Sequence, residues 1–241
     1  MANASKATYS GMTQIWRLVR AVGSPTEPKY IQWGDSTITG SANPDVNLFK
    51  PQTEARATGT SSMLTTTQLG DTYQITGTVT CLVGGKTITE AGLFNVATSI
   101  SPTTTTSASI TSAATTVTIA SGTGMPAASN YYAEISDTGS QSATGNQPEV
   151  VLVTAGQGTT TLTIVRGQLG STANSHLTGA FFTLGGDGGA QTAGGTTGQT
   201  VATNTWETSY GGSMYCHADF AGIALSVNDS INFTFKSQLT S

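Results

Sequence analysis

Charge is what this sequence has least of. Of its 241 residues, nine are Lys or Arg and 13 are Asp or Glu, so charged residues make up 9% against about 25% in an average soluble domain. The cations are scattered and the net charge is −4, which excludes the basic stripe of a nucleic-acid-binding surface. Cysteine is almost missing too. Cys81 and Cys216 stand alone, excluding a disulfide framework and CxxC-type metal spacing. They read as two free, partly buried thiols, and a single bridge needs the strands that carry them to pair. Long apolar runs are absent: no window approaches about 18 apolar residues. The N-terminus shows no apolar h-region, so neither a membrane span nor a signal peptide is expected.

Thr, Ser and Gly fill the space that charge leaves, a composition suited to short strands and turns in a rigid assembly. The strongest periodicity runs from Thr72 to Asn95. Tyr73, Ile75, Val79, Cys81 and Val83 share one parity, while Gln74, Thr76, Thr78 and Thr80 share the other, the pattern of a half-buried strand. Gly84-Gly85 then predicts a tight reversal into a second strand over Thr87 to Phe94, making a hairpin. A third partner is expected far away, in Ser213 to Ser237. There Ile223 and Leu225, then Ile231, Phe233 and Phe235, alternate with small or polar residues around an Asn228-Asp229 turn.

The rest of the chain falls around these segments. Met1 to Thr8 reads as an arm that needs a binding partner to order it. Gln14 to Val22 fits a short helix or a strand, and Tyr30 to Gly34 is a strand. Ala55 to Leu64 is another, broken at Gly59. Pro102 to Ser107 reads as a Thr-rich connector. Strands then follow at Val117 to Ile119, Tyr131 to Ile135, Glu149 to Thr154, Thr160 to Val165 and Ala180 to Leu184, with glycine turns at close spacing. The expected architecture is all-β. Residues 1–99 and 201–241 form a discontinuous, β-sandwich-like domain, and 103–184 form an inserted small β-barrel or sandwich. Residues 185–200 are a Gly-rich linker, and the ends of the insert should lie close together.

Two stretches resemble structural proteins of tailed bacteriophages. In the insert, Gly124, Pro126, Val153, Thr154 and Thr159 to Leu162 lead into Arg166, Gly167, Gly170, Ser171, His176 and Gly179. That RGxxG(S/T)xxxxHxxG order is similar to a small domain found in such virion proteins, over residues 109–184. Outside it, Trp33-Gly34, Arg56, Tyr73, Ile88 to Phe94 and the Asn228 to Lys236 ending are similar to a second phage virion pattern. The ExGLF segment at Glu90, Gly92 and Phe94 also resembles tail-collar fibre proteins. The resemblance implies a virion component.

The residues that could carry chemistry read mainly as structural. His176 follows Arg166 closely, and its expected role is to bond a backbone carbonyl while Arg166 braces a turn. Cys216 and His217 are neighbours on one strand and so face opposite sides of a sheet, which excludes a Cys/His pair. Glu90 leads into an apolar run, and burial there demands a partner: Arg56, or turn amides of the same domain. Trp33, Trp206 and Tyr210 could line a sugar-binding face, but packing anchors are the plainer reading. The Gly-rich stretch does not open a helix after a strand, so no phosphate cradle is supported.

No enzyme activity, cofactor or metal is expected. The leading expectation is a capsid decoration or cement protein on the outer head surface, assembled in the host cytoplasm. Its expected partners are the major capsid protein and copies of itself, with a trimer favoured. Tail fibre, collar or tail-tip protein is the alternative, with tail proteins as partners. A carbohydrate-binding adhesin that meets a host-surface glycan is the third reading. Nucleic acid and membrane are not expected partners.

Overall fold

The computed structural model describes residues 6–8, 11, 26–36, 47–97, 103–127, 130–137, 148–184, 212 and 214–238. Among these residues the backbone forms fourteen β-strands. The expectations for Gln14 to Val22, the Gly-rich linker, Trp206 and Tyr210 lie outside the described residues.

The outer part of the chain is a sandwich of two antiparallel sheets. One sheet has the order β1 (Lys6–Ala7), β13 (Met214–Leu225), β6 (Lys86–Phe94), β2 (Tyr30–Gly34), β3 (Ala57–Thr58). The other has the order β14 (Ser230–Gln238), β5 (Thr72–Thr80), β4 (Thr60–Leu64). Ile31, Trp33, Ile75, Val79, Ile88, Leu93, Cys216 and Phe235 meet between them and bury the apolar parity of each strand.

The hairpin expected across Gly84-Gly85 does not form. β5 pairs with β14 and β4, and β6 pairs with β13 and β2, so both edges of each strand are already taken. Residues 81–85 instead carry the chain from one sheet to the other. The return strand makes the same crossing beside it at 226–229. Cys81 N–H donates to the Asp229 carbonyl at 2.8 Å, and Asn228 N–H donates to the Cys81 carbonyl at 2.7 Å. Residues 72–94 and 214–238 are therefore one long antiparallel ribbon folded at its middle. Its pairing runs from Thr72↔Gln238 to Phe94↔Met214. The distant third partner was correctly placed; what connects it is a fold in the ribbon.

Gly59 makes a second crossing. Its N–H donates to the Lys29 carbonyl at 2.7 Å, and a Cβ there would sit 2.5 Å from Ile75 Cγ2, so only glycine lets the chain pass from β3 to β4 this closely. The next turn is held by Asp71, whose carboxylate accepts the N–H groups of Thr66, Thr67 and Gln68. Of the N-terminal arm, residues 6–8 are described, and these differ from expectation. Lys6 and Ala7 pair with His217 and Cys216, so this chain's own β13 orders them. Both cysteines are buried and free.

Between the two halves of the ribbon sits the insert, a curled six-stranded sheet. Its order is β7 (Thr103–Thr105), β12 (Phe181–Leu184), β9 (Tyr131–Ser136), β10 (Glu149–Ala155), β11 (Thr161–Val165), β8 (Thr116–Thr118). Its edges meet through the Thr106–Ile119 bridge, where Ser107 N–H and Ala120 N–H donate to Thr118 and Thr105 carbonyls at 2.8 Å. The sheet thus curls into a small barrel around Val117, Tyr131, Ile135, Val151, Leu162 and Phe182. The stretch read as a Thr-rich connector is strand β7, which the alternating rule misses because it is only three residues long. Its pairing with β12 brings the ends of the insert together, as an insertion requires.

Candidate functional site

Among the described residues, two clusters of buried polar groups, one in each unit, each centre on a histidine. In the barrel, β10 begins with Glu149, fully buried, beside the loop that follows β11. Arg166, directly after β11, donates from Nε to Glu149 Oε1 at 2.7 Å and from a terminal nitrogen to Oε2. Gly167 N–H and Asn174 N–H donate to the same carboxylate at 2.8 and 3.1 Å. His176 lies with Nε2 3.2 Å from Glu149 Oε2 and Nδ1 2.9 Å from Asp137 Oδ2. The second Asp137 oxygen accepts Leu177 N–H at 3.0 Å.

Both ring nitrogens of His176 face carboxylates, which only accept, so the ring donates twice and is an imidazolium. Burial opposes that charge, but the bonds to Asp137 and Glu149 win and raise its pKa above the ordinary value. Burial likewise pushes the Glu149 carboxyl up, yet the bonds from Arg166, His176, Gly167 and Asn174 pull it down to about 2. His176 therefore bonds two acids, not the backbone carbonyl expected of it. Arg166 does brace a turn, through the carbonyls of Thr111, Ala114 and Asn174. Asp137 went unread because it lies 39 residues before His176. The one sequence signal for it was an acid directly after a strand buried along its whole length.

In the sandwich, Glu90 of β6 is fully buried. Its carboxylate accepts Phe49 N–H at 3.0 Å, Lys50 N–H at 2.8 Å and His217 Nε2 at 3.0 Å. Of its two expected partners, turn amides hold it and Arg56 does not. The Phe49 ring meets His217 edge-on at 4.8 Å. Gly92, one residue pair along β6, leaves room for Leu48, Met214 and Phe94, each 3.0 Å from where its Cβ would be. Arg56 lies 3.6 Å over the Phe94 ring and donates to Gln32 Oε1 and the Val96 carbonyl at 3.0 and 3.1 Å. Burial pushes its guanidinium down to about 9, so it keeps its charge at neutral pH.

The two clusters meet at the joint between the units. Glu90 fixes the 47–50 loop, where Asn47 donates to the Leu184 carbonyl of the barrel at 2.9 Å. Ser136 of the barrel, next to Asp137, donates to the Phe49 carbonyl at 3.4 Å. His217 and His176 thus stand on either side of one seam, each tying the segment that touches the other unit.

Two grooves are formed among the described residues, and Glu90, His217, Glu149 and His176 line neither of them. A groove of about 650 Å³ runs beside β4, lined by Pro28, Met63, Tyr73 and Tyr215 with Glu27 and Asp71. Its two acids are occupied: Glu27 accepts Tyr73 Oη at 3.2 Å, and Asp71 is held by its turn amides. The Cys216 thiol, raised by burial to about 12, is unreactive at neutral pH and faces the sandwich core, away from His217. Trp33 is core, with 1% of its surface exposed, so it builds no sugar-binding platform. Among the described residues no group of three His, Cys, Asp or Glu side chains is arranged to hold a metal ion. No described helix is long and apolar enough to cross a membrane. No family model, curated protein or solved structure matches the chain.

Proposed function

We propose that this chain is a structural component of a tailed-phage virion, a decoration protein that sits on the outer head surface and reinforces contacts between capsomers. The observation that carries the reading is how the buried ionic groups are used. In both units they tie loops to strands and hold the seam between the units, which suits a rigid building block. The phage-like patterns over Trp33 to Phe94, Gly124 to Gly179 and Asn228 to Lys236 supply the class. On a lattice, many weakly bound copies reinforce one another, so a charge-poor surface suffices for attachment. The major capsid protein is the partner, and the protein works as a symmetric homo-oligomer, a trimer by preference.

A tail fibre, collar or tail-tip role is the second reading, favoured by the ExGLF segment from Glu90 to Phe94. Immunogold electron microscopy of intact particles, with an antibody against the barrel, separates the two. Gold over heads is the expected result; gold confined to tails selects the second reading. Absence of the protein from purified virions overturns both.

A further inference from the structure

An amine, a carboxamide and a carboxylate meet where β6 begins. Lys86, the first residue of that strand, is paired with Leu225 of β13. Its ammonium donates to Gln52 Oε1 at 2.9 Å and to Glu54 Oε1 at 2.5 Å. The Lys86 and Glu54 side chains are 10% and 2% exposed, so the contact is nearly dry. Glu54 Oε2 is buried too and makes no hydrogen bond among the described residues, which leaves it lone pairs that no donor uses. Gln52 is held by its backbone on both sides. Its N–H donates to the Trp33 carbonyl at 3.0 Å, its carbonyl accepts Gln32 Nε2 at 3.1 Å, and Pro51 before it bridges to Gly34. Two fixed backbones therefore keep the amine against the amide, the arrangement that turns a slow bimolecular reaction into a fast intramolecular one.

We propose that Lys86 and Gln52 become joined by an intramolecular amide bond, with Glu54 as the acid–base group that moves the protons. Glu54 Oε1 takes a proton from the Lys86 ammonium, and burial eases this step because it turns an ion pair into a neutral pair. The free amine adds to Gln52 Cδ, forming the Nζ–Cδ bond. Glu54 then hands its proton to Gln52 Nε2, the Cδ–Nε2 bond breaks, and ammonia leaves. The second proton shed by Nζ returns to Glu54 and departs with the ammonia as ammonium, so nothing is oxidised or reduced. Glu54 is the base and not the acyl acceptor. Burial pushes its carboxyl up, but the bond from Lys86, its own amide and the Lys86 charge outweigh that and hold it below the ordinary carboxylate range. It is therefore an anion, which an amine does not attack, whereas the Gln52 amide is neutral. The bond ties the segment after the 47–50 loop to β6 and closes residues 52–86 into a ring, which lowers the entropy of the unfolded chain. It rests on this geometry alone and stands apart from the virion reading.

High-resolution mass spectrometry of the purified full-length chain, intact and after proteolysis, tests the proposal. The expected mass is lower than that of the sequence by one ammonia, and digestion is expected to release Gln52 and Lys86 in one branched fragment. Lys86→Arg keeps a cation for Glu54 but removes the attacking amine, and should show the full sequence mass. Glu54→Gln keeps the shape of the side chain and should slow the joining about 100-fold or more, the loss that follows removal of an acid–base group. Wild type at its full sequence mass, with Gln52 and Lys86 on separate peptides, overturns the bond, and this result decides even if Glu54→Gln fails to fold. Loss of one water in place of ammonia would make Glu54 the acceptor and overturn the assignment of Gln52. An ammonia loss that survives in Lys86→Arg would arise from another amide and overturn the pair. Joining at the wild-type rate in a folded Glu54→Gln would remove Glu54 from the chemistry.

Discussion

Replacing Glu149 by glutamine keeps the shape of the side chain and removes its charge from the most heavily bonded site in the barrel. The carboxylate accepts from Arg166 twice, from the Gly167 and Asn174 amides and from His176. In the variant an NH₂ group must face at least one of those donors, and Arg166 and His176 lose their shared counter-charge. Breaking a buried pair by removing one partner costs about 3–5 kcal/mol. The proton affinity of the site leads to a similar figure. Lowering the carboxyl from 4.5 to about 2, at about 1.4 kcal/mol per tenfold change in affinity, corresponds to about 3 kcal/mol. For a unit the size of the barrel, about 3 kcal/mol lowers the melting temperature by roughly 12–24 °C.

Differential scanning calorimetry of the full chain at pH 6 reads this directly, as a large fall in the barrel transition. The pH dependence supplies a signature that simple loss of packing lacks. A carboxyl with a depressed folded pKa stabilises fully above its unfolded value near 4.5 and loses that contribution as pH falls toward about 2. The gap between wild type and Glu149→Gln should therefore close across that window. A melting shift below about 4 °C, or a gap that stays constant from pH 6 to pH 2, would refute the assignment of Glu149 as the centre of the cluster.

His176, whose pKa is raised, stabilises fully below its unfolded value near 6.5 and loses that contribution as pH rises through the folded one. His176→Gln should melt lower at pH 6 and lack the wild-type decline in alkaline solution, which calorimetry against pH will check. Glu90→Gln should destabilise the sandwich by about 3 kcal/mol and speed hydrogen exchange at the Phe49 and Lys50 amides; unchanged exchange there would remove its role as the clasp of the seam. Gly34→Ala should do related damage, because the added Cβ would lie 2.1 Å from Glu90 Oε1 and 2.6 Å from the Lys50 carbonyl; a cost of about 1–3 kcal/mol is expected in chemical denaturation. Cys216 should resist iodoacetamide at pH 8 until the protein unfolds, since burial raises its thiol to about 12; alkylation of the native protein would contradict its place in the core.

Most strands were legible because each is a run of β-branched, aromatic or aliphatic residues bounded by turn residues, with alternation added in Thr72 to Thr80 where one face is buried. The strands read at Tyr30 to Gly34, Tyr131 to Ile135 and Glu149 to Thr154 form within a residue of those bounds, and the one read at Tyr73 to Val83 ends three residues earlier, at Thr80. Connectivity was less legible. Gly84-Gly85 carries a local signal for a tight reversal, but whether a turn pairs its own flanks or crosses between sheets depends on which edges are free. Here the decision is made by Asn228 and Asp229, well over a hundred residues away. The barrel cluster was hidden for the same reason. Arg166 and His176 announced themselves by proximity, whereas Asp137 and Glu149 reach them only once β9 and β10 pair. Arg56 and Glu90 were both singled out as buried charges needing partners, yet each found its own. Arg56 is served by a side-chain amide, a carbonyl and a ring, and Glu90 by two backbone amides and His217.

That partition of partners explains how a chain with so little charge holds two units in register. A buried ion costs several kcal/mol to desolvate, so a charge-poor sequence can place one only where it satisfies several otherwise stranded donors at once. Glu149 does this for two amides, Arg166 and His176, and Glu90 for two amides and His217. Both carboxylates sit on strands paired on both edges and reach loops whose backbone is otherwise tied by isolated bridges, Gly34 with Pro51 and Ile110 with His176. The seam follows from this. Phe49 is held from below by Glu90 and His217, and its carbonyl is met from above by Ser136, whose neighbour Asp137 is held by His176. Rigidity at the joint thus comes from a few buried ionic groups that add side-chain bonds where the backbone supplies only isolated bridges.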